Sequence, residues 1–162
     1  MPISTIGSDG LASSSVTQAK VATGTAGTGP AFSAYSSAGQ TLSGSTWTKL
    51  QFNTEEFDTA NCFDSTTNYR FTPNVAGYYL AVGGFGGGAS QCTTIVAIYK
   101  NGSRVKIIAN SPSVNPASYG SVLIYLNGTT DYIELYGLLT TGQITVSGAD
   151  NMYYQAAMVR SA

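Results

Sequence analysis

The chain has 162 residues, enough for one domain that buries a real core plus a short appendage. Only 9% of them are charged, against about a quarter in ordinary soluble domains, and the net charge is -1. That balance gives no basic field for nucleic acid or anionic lipid, and no stretch nears the roughly twenty apolar residues of a membrane span.

Residues 1–30 form an arm of small residues, GSDGLASSSVTQAKVATGTAGTGP in its main part, broken often by glycine. Ile3, Ile6, Leu11, Val16 and Val21 are the side chains that could anchor it. Alone it is expected to be disordered, gaining order only from a neighbour. The opening MPISTIGSDG lacks the basic start and apolar run of an export signal, so synthesis in a cytosol is expected. Delivery outside a cell would then need another carrier, such as release inside a virus particle.

From residue 31 the texture changes to short strands. FSAYS (32–36) comes first, then TWTKLQF (46–52), where Trp47, Lys49 and Gln51 alternate with Thr48, Leu50 and Phe52. The acidic stretch NTEEFDTANCFD (53–64) reads as a loop. YRF (69–71) and GYYLAVGG (77–84) follow, and GGFGGG (83–88) reads as a flexible loop or bulge where backbones approach closely. TTIVAIYK (93–100) and RVKIIA (104–109) flank Asn101-Gly102-Ser103, while GSVLIYL (120–126) and DYIELYGLL (131–139) flank Asn127-Gly128. Both Asn-Gly pairs match a glycosylation sequon but read better as hairpin turns that need positive φ. QITV (143–146) and MYYQAAMV (152–159) complete the set. Evenly spaced strands rich in Val, Ile, Tyr and Thr, with Gly and Asn turns and no long helix, indicate an all-β sandwich or barrel. VLIYL and TIVAIY are apolar on both faces, which places one face in the core and the other in a subunit interface. A weakly charged surface favours self-association too, so a defined oligomer is expected.

Little in the chain points to catalysis. There is no histidine, which removes the usual general base and the commonest metal ligand. Glu55, Glu56, Asp58 and Asp64 cluster in one stretch, an oxygen-rich set that suits a hard cation but lacks the spacing of a calcium-binding helix-loop-helix. Turn-capping carboxylates are the preferred reading, with Asp58 bonding nearby backbone N–H groups. GGFGGG lacks the Lys-Ser/Thr ending of a phosphate loop. Cys62 and Cys92 have no metal-type spacing, and cytosolic synthesis favours thiols over a disulfide. The expectation is a protein without enzymatic activity, cofactor or metal. Among its eleven tyrosines, Tyr35 and Tyr119 lie nearest the loops and are the candidates for stacking on a glycan.

One run of residues carries a resemblance. Five residues separate Phe52 from Asp58, four separate Asp58 from Phe63, seven separate Phe63 from Phe71 and five separate Phe71 from Gly77, with Tyr79 two further on. This closely resembles the signature of the C1q-like domain, related to tumour necrosis factor, where six residues rather than seven precede the third aromatic. The aromatics usual after the final Tyr are replaced here by Ala81 and Gly83. Lys100-Asn101-Gly102, and then Leu126, Gly128, Asp131, Ile133 and Leu135, are similar to later stretches of that family. The resemblance implies a C1q/TNF-like jelly roll of about ten strands over residues 31–162, assembled as a homotrimer, with the signature residues in its core and trimer contacts. The arm, SSSVTQAKV above all, resembles leaders of bacteriophage head and tail appendage proteins. Together the two imply a virion protein: residues 1–30 dock on capsid or tail proteins and a trimeric knob projects. Capsid decoration or cement, or a short head or tail fibre, is the role implied. The alternative is a tail-fibre tip that recognises a host surface glycan or protein.

Overall fold

Thirteen β-strands and no helix make up the regular structure among the described residues of the computed structural model, which are 28–87, 92–113, 117–145 and 147–162. In chain order they begin with β1 (Ala31–Tyr35), β2 (Thr41–Leu42), β3 (Thr48–Lys49), β4 (Thr54–Asp58), β5 (Phe63–Asp64), β6 (Arg70–Phe71) and β7 (Ala76–Gly86). They continue with β8 (Cys92–Lys100), β9 (Ser103–Ser113), β10 (Ala117–Asn127), β11 (Ile133–Leu139), β12 (Gln143–Ile144) and β13 (Met152–Ser161). Five of the thirteen are two-residue pairings, so eight longer strands (13 - 5) carry the sandwich.

Two antiparallel sheets face each other. One has the order β10-β7-β13-β1-β4; the other runs β5-β6-β11-β8-β9, with β3 beside β11. β2 and β12 pair separately. Alternation along each strand sends one set of side chains between the sheets. Phe32 is central there, stacked on Phe63 at 4.3 Å and on Phe71 at 4.8 Å, with Tyr154 edge-on at 5.0 Å. Phe52, Tyr79 and Phe85 are also fully buried. Each such ring stabilises the fold by about 2 to 3 kcal/mol through burial alone.

Several local readings change. The stretch 53–64 is not a loop throughout, because residues 54–58 pair with β1 as the edge strand β4. Glu55, Glu56 and Phe57 stay exposed there, and charge on an edge strand blocks pairing with another chain. The run 46–52 pairs only at Thr48 and Lys49, although Leu50 and Phe52 are fully buried. GGFGGG is not a loop up to Gly86 either: Gly83, Gly84 and Gly86 continue β7 between β10 and β13. The close approach is real, since a Cβ on Gly84 would sit 2.0 Å from the Ser118 carbonyl oxygen. Asn101 and Gly102, at φ 53° and 77°, make the β8–β9 hairpin turn. Asn127-Gly128 is not a hairpin but the corner where the chain leaves β10 for β11 in the other sheet. Asn127 Oδ1 holds that corner by accepting from the N–H groups of Thr129, Thr130 and Asp131.

Candidate functional site

An antiparallel sheet facing water carries polar side chains on its outer face. The outer face of the β10-β7-β13-β1-β4 sheet is instead mainly apolar and aromatic, with only a few polar groups such as Ser121, Gln155 and Arg160. Tyr119, Leu123 and Tyr125 stand out from β10, Tyr78 and Leu80 from β7, Val159 from β13 and Phe57 from β4, each between 39% and 58% exposed. Pairing brings them side by side: Leu123 lies opposite Leu80 and Leu80 opposite Ala157, while Tyr125 lies opposite Tyr78 with ring centres 5.5 Å apart. A shallow groove between Phe57, Leu80, Val82 and Val159 crosses the middle of the face. A contiguous apolar patch of this kind marks an interaction surface.

Tyr119, Gly84, Tyr153 and Tyr35 form one row across β10, β7, β13 and β1. Gly84 leaves a gap, and Tyr119 and Tyr153 close over it, stacked at 5.4 Å and 10°. The Tyr119 hydroxyl donates to the Asn151 carbonyl oxygen at 2.9 Å. Burial pushes that hydroxyl's pKa up, helped by Tyr153 and Asp150. Tyr35 and Tyr119 are therefore not loop residues. Both sit in paired strands, and Tyr119 has its ring packed on a neighbour.

Phe52, Phe63, Phe71 and Tyr79 lie in the core between the sheets. The Tyr79 hydroxyl donates to the Val75 carbonyl oxygen at 2.7 Å, and burial pushes its pKa up to about 12. Gly77 is buried in β7, where a Cβ would come within 2.5 Å of the Arg160 carbonyl oxygen. Asp58 accepts from the N–H groups of Ala60 at 3.1 Å and Phe63 at 2.7 Å, tying the end of β4 to β5. Ile3, Ile6, Leu11, Val16 and Val21 lie outside the described residues.

The remaining acids serve local structure. Asp64 accepts from the N–H groups of Thr66, Thr67 and Asn68 and from Asn68 Nδ2. The Thr67 N–H leads these in holding its carboxyl well below the usual range. Glu55 accepts from Ser65 Oγ at 2.6 Å and Glu56 from Ser33 Oγ at 2.5 Å. Among the described residues, no three His, Cys, Asp or Glu side chains converge. Cys62 and Cys92 are both buried thiols.

No family profile and no curated protein matches the chain. Solved structures do. The globular domain of zebrafish complement 1qA superposes with a TM-score of 0.60 at 17% identity, over 82% of this chain and 99% of that one. Murine APRIL at pH 5.0 gives a TM-score of 0.58 at 8% identity, over 80% and 98%. Eiger TNF from S. frugiperda gives 0.58 at 8%, over 82% and 92%. The fold is a C1q/TNF-like jelly roll. In this C1q/TNF-like frame the apolar face belongs to the sheet that holds β1 and β13, the first and last strands. The apolar outer row was foreshadowed by VLIYL, whose Leu123 and Tyr125 face outward while Val122 and Leu126 face the core. TIVAIY differs: Ala97 is buried within the single chain.

Proposed function

We propose that the chain is a non-enzymatic structural protein that assembles as a homotrimer through the outer face of the β10-β7-β13-β1-β4 sheet. Residues 1–30 anchor that trimer to a virus particle, as capsid decoration or a short head or tail fibre. The observation that carries the reading is the apolar face itself. On a chain with net charge -1, a patch of this size left in water promotes indiscriminate association. A closed threefold ring covers it by giving each face two neighbours, and the symmetry stops growth at three. A threefold assembly is also what the C1q-like resemblance implies. The non-enzymatic part is supported by where the acids are used, in turns and strand contacts rather than in an acid–base pair across a cleft. The virion part is supported by the charge-poor composition and the Ser/Thr/Ala/Gly leader.

Light scattering after size exclusion tests the assembly, on the full chain and on a form starting at Ala31. Three-subunit mass for both supports a self-sufficient knob with a free arm. A monomeric short form means that the arm holds the subunits, and a monomeric full chain sinks the trimer. Immunogold labelling of purified particles tests location separately: unlabelled particles overturn the virion role and leave the trimer standing.

A further inference from the structure

The outer face of the second sheet carries a different surface. Tyr99 of β8 and Tyr136 of β11 stack there at 3.8 Å and 21°. Trp47, just before β3, lies 6.3 Å from Tyr99. Tyr132, just before β11, extends the set on the other side. Burial first, then the Glu134 carboxylate and the Tyr99 and Tyr132 hydroxyls, push the Tyr136 hydroxyl's pKa up, which marks these groups as neighbours. All four rings are half-buried. An arginine lies over each end: the Arg104 guanidinium is 5.0 Å from the Trp47 ring centre and that of Arg70 is 4.4 Å from Tyr132.

The charges decide what such a band can hold. Glu134, only 3% exposed, pairs with Lys49 at 2.5 Å. Among the described residues neither Arg70 nor Arg104 forms an ion pair. Asp64 stands opposite Arg70 in register, yet both its oxygens serve its own turn. The three cations Lys49, Arg70 and Arg104 against the two carboxylates of Glu134 and Asp64 leave a surplus of one positive charge (3 - 2) on a chain whose net charge is -1. A guanidinium that forms no ion pair and lies over an aromatic ring is well placed for bidentate contact with an outside carboxylate or sulfate.

We propose that this band binds an acidic oligosaccharide, with sugar rings lying on Trp47 and the tyrosines and acid groups pairing with Arg70 and Arg104. Aromatic rings offer flat apolar faces to the C–H faces of pyranoses, and the hydroxyl groups of the tyrosines supply polar edges. A nucleic acid fits less well, because binding a phosphate backbone needs a longer row of cations. The site goes beyond the structural role and rests on the trimer reading in one respect only: that reading buries the other sheet and leaves this face open.

Trp47 is the one tryptophan of the chain, so its fluorescence in the intact protein reports directly on the band. The titrants are hexagalacturonate, sialyllactose and a heparin hexasaccharide, beside fully methyl-esterified hexagalacturonate and an oligothymidylate. A saturable change is expected with at least one acidic sugar, with affinity at least about tenfold weaker in both Arg70→Ala and Arg104→Ala. Circular dichroism checks that each variant keeps its fold. No saturable change with any acidic sugar overturns the proposal. So do unchanged affinity in either variant, binding of the ester as tight as that of the acid, or tighter binding of oligothymidylate. Light scattering on the same samples separates failure of this site from failure of the trimer.

Discussion

Asp131 ties three segments of chain together. Its Oδ2 pairs with Lys100 Nζ at 2.7 Å and accepts from the Asn127 N–H at 3.0 Å, while its Oδ1 accepts from Asn101 Nδ2 at 2.8 Å. Burial opposes its charge, but the Lys100 and Asn101 side chains, the Asn127 N–H and the charge of Lys100 together outweigh it and hold its carboxyl below the usual carboxylate range. A depressed carboxyl stabilises the fold at pH values above its unfolded pKa of about 3.9, and that contribution is lost as pH falls through the folded value. Urea unfolding should therefore show a constant gap between wild type and Asp131→Asn above about pH 4, closing on acidification. A gap that stays open in acid would remove the carboxylate from the explanation. Asp131→Ala also leaves the Lys100 ammonium and the Asn127 N–H without this partner and is expected to cost about 2 to 4 kcal/mol. Two buried tyrosines give a contrasting pair. Tyr79 has its acceptor in Val75, so Tyr79→Phe is expected to cost about 1 to 2 kcal/mol. The hydroxyl of fully buried Tyr154 has no hydrogen-bond partner among the described residues, so Tyr154→Phe should equal or exceed wild type by up to about 1 kcal/mol. Unfolding midpoints decide both, and a large loss in Tyr154→Phe would show that its hydroxyl is satisfied after all.

Strand β7 shows why glycine can sit in the middle of a sheet. Between β10 and β13, Gly84 faces outward beneath the Tyr119–Tyr153 stack, and Gly83 faces inward with Leu135 Cδ2 only 2.9 Å from where a Cβ would stand. A side chain at position 84 has to displace Tyr119 and the Ser118 backbone, so Gly84→Val should destabilise the protein by about 2 kcal/mol or more, read as a lower melting temperature. Unchanged melting would mean that β10 shifts freely and the row is not held. This strand also marks the limit of reading the sequence. Branched and aromatic runs such as TTIVAIYK and GSVLIYL declare themselves as strands by composition. GGFGG does not, because what makes it a strand is the crowding of its partners, which lies far away in the chain. The same holds for β4, whose Glu55 and Glu56 read as a loop but suit an unpaired edge. The signature aromatics were legible as core residues, and the doubly apolar β10 pointed to the apolar outer face. Tyr35 and Tyr119 were misplaced because their row exists only once four strands are in register. The band of Trp47, Tyr99, Tyr132 and Tyr136 was not legible as a set for the same reason, since it joins residues from separate parts of the chain.

At the scale of the whole molecule, the two sheets present different surfaces, one mainly apolar and one with an aromatic band flanked by arginines, and a single pair of substitutions tells their roles apart. Leu123 is 58% exposed on β10 at the edge of the apolar face, in the row that runs on to Leu80 and Ala157. Val105 is 54% exposed on β9, in the other sheet. In an isolated chain a Glu at either position stays in water and changes stability by no more than about 0.5 kcal/mol. In the proposed trimer the two are no longer equivalent. Leu123→Glu brings a carboxylate from each subunit into a mainly apolar face, with Arg160 near its margin, and taking that charge out of water costs several kcal/mol by order of magnitude. The variant should therefore run as a monomer, with an unchanged circular dichroism spectrum and a melting temperature independent of concentration. Wild type should melt higher as concentration rises, because assembly stabilises the folded subunits by mass action. Val105→Glu should keep the three-subunit mass. A trimer that survives Leu123→Glu would place the interface elsewhere, and dissociation by Val105→Glu would place it on the sheet that carries the aromatic band, leaving that band no open face for a sugar.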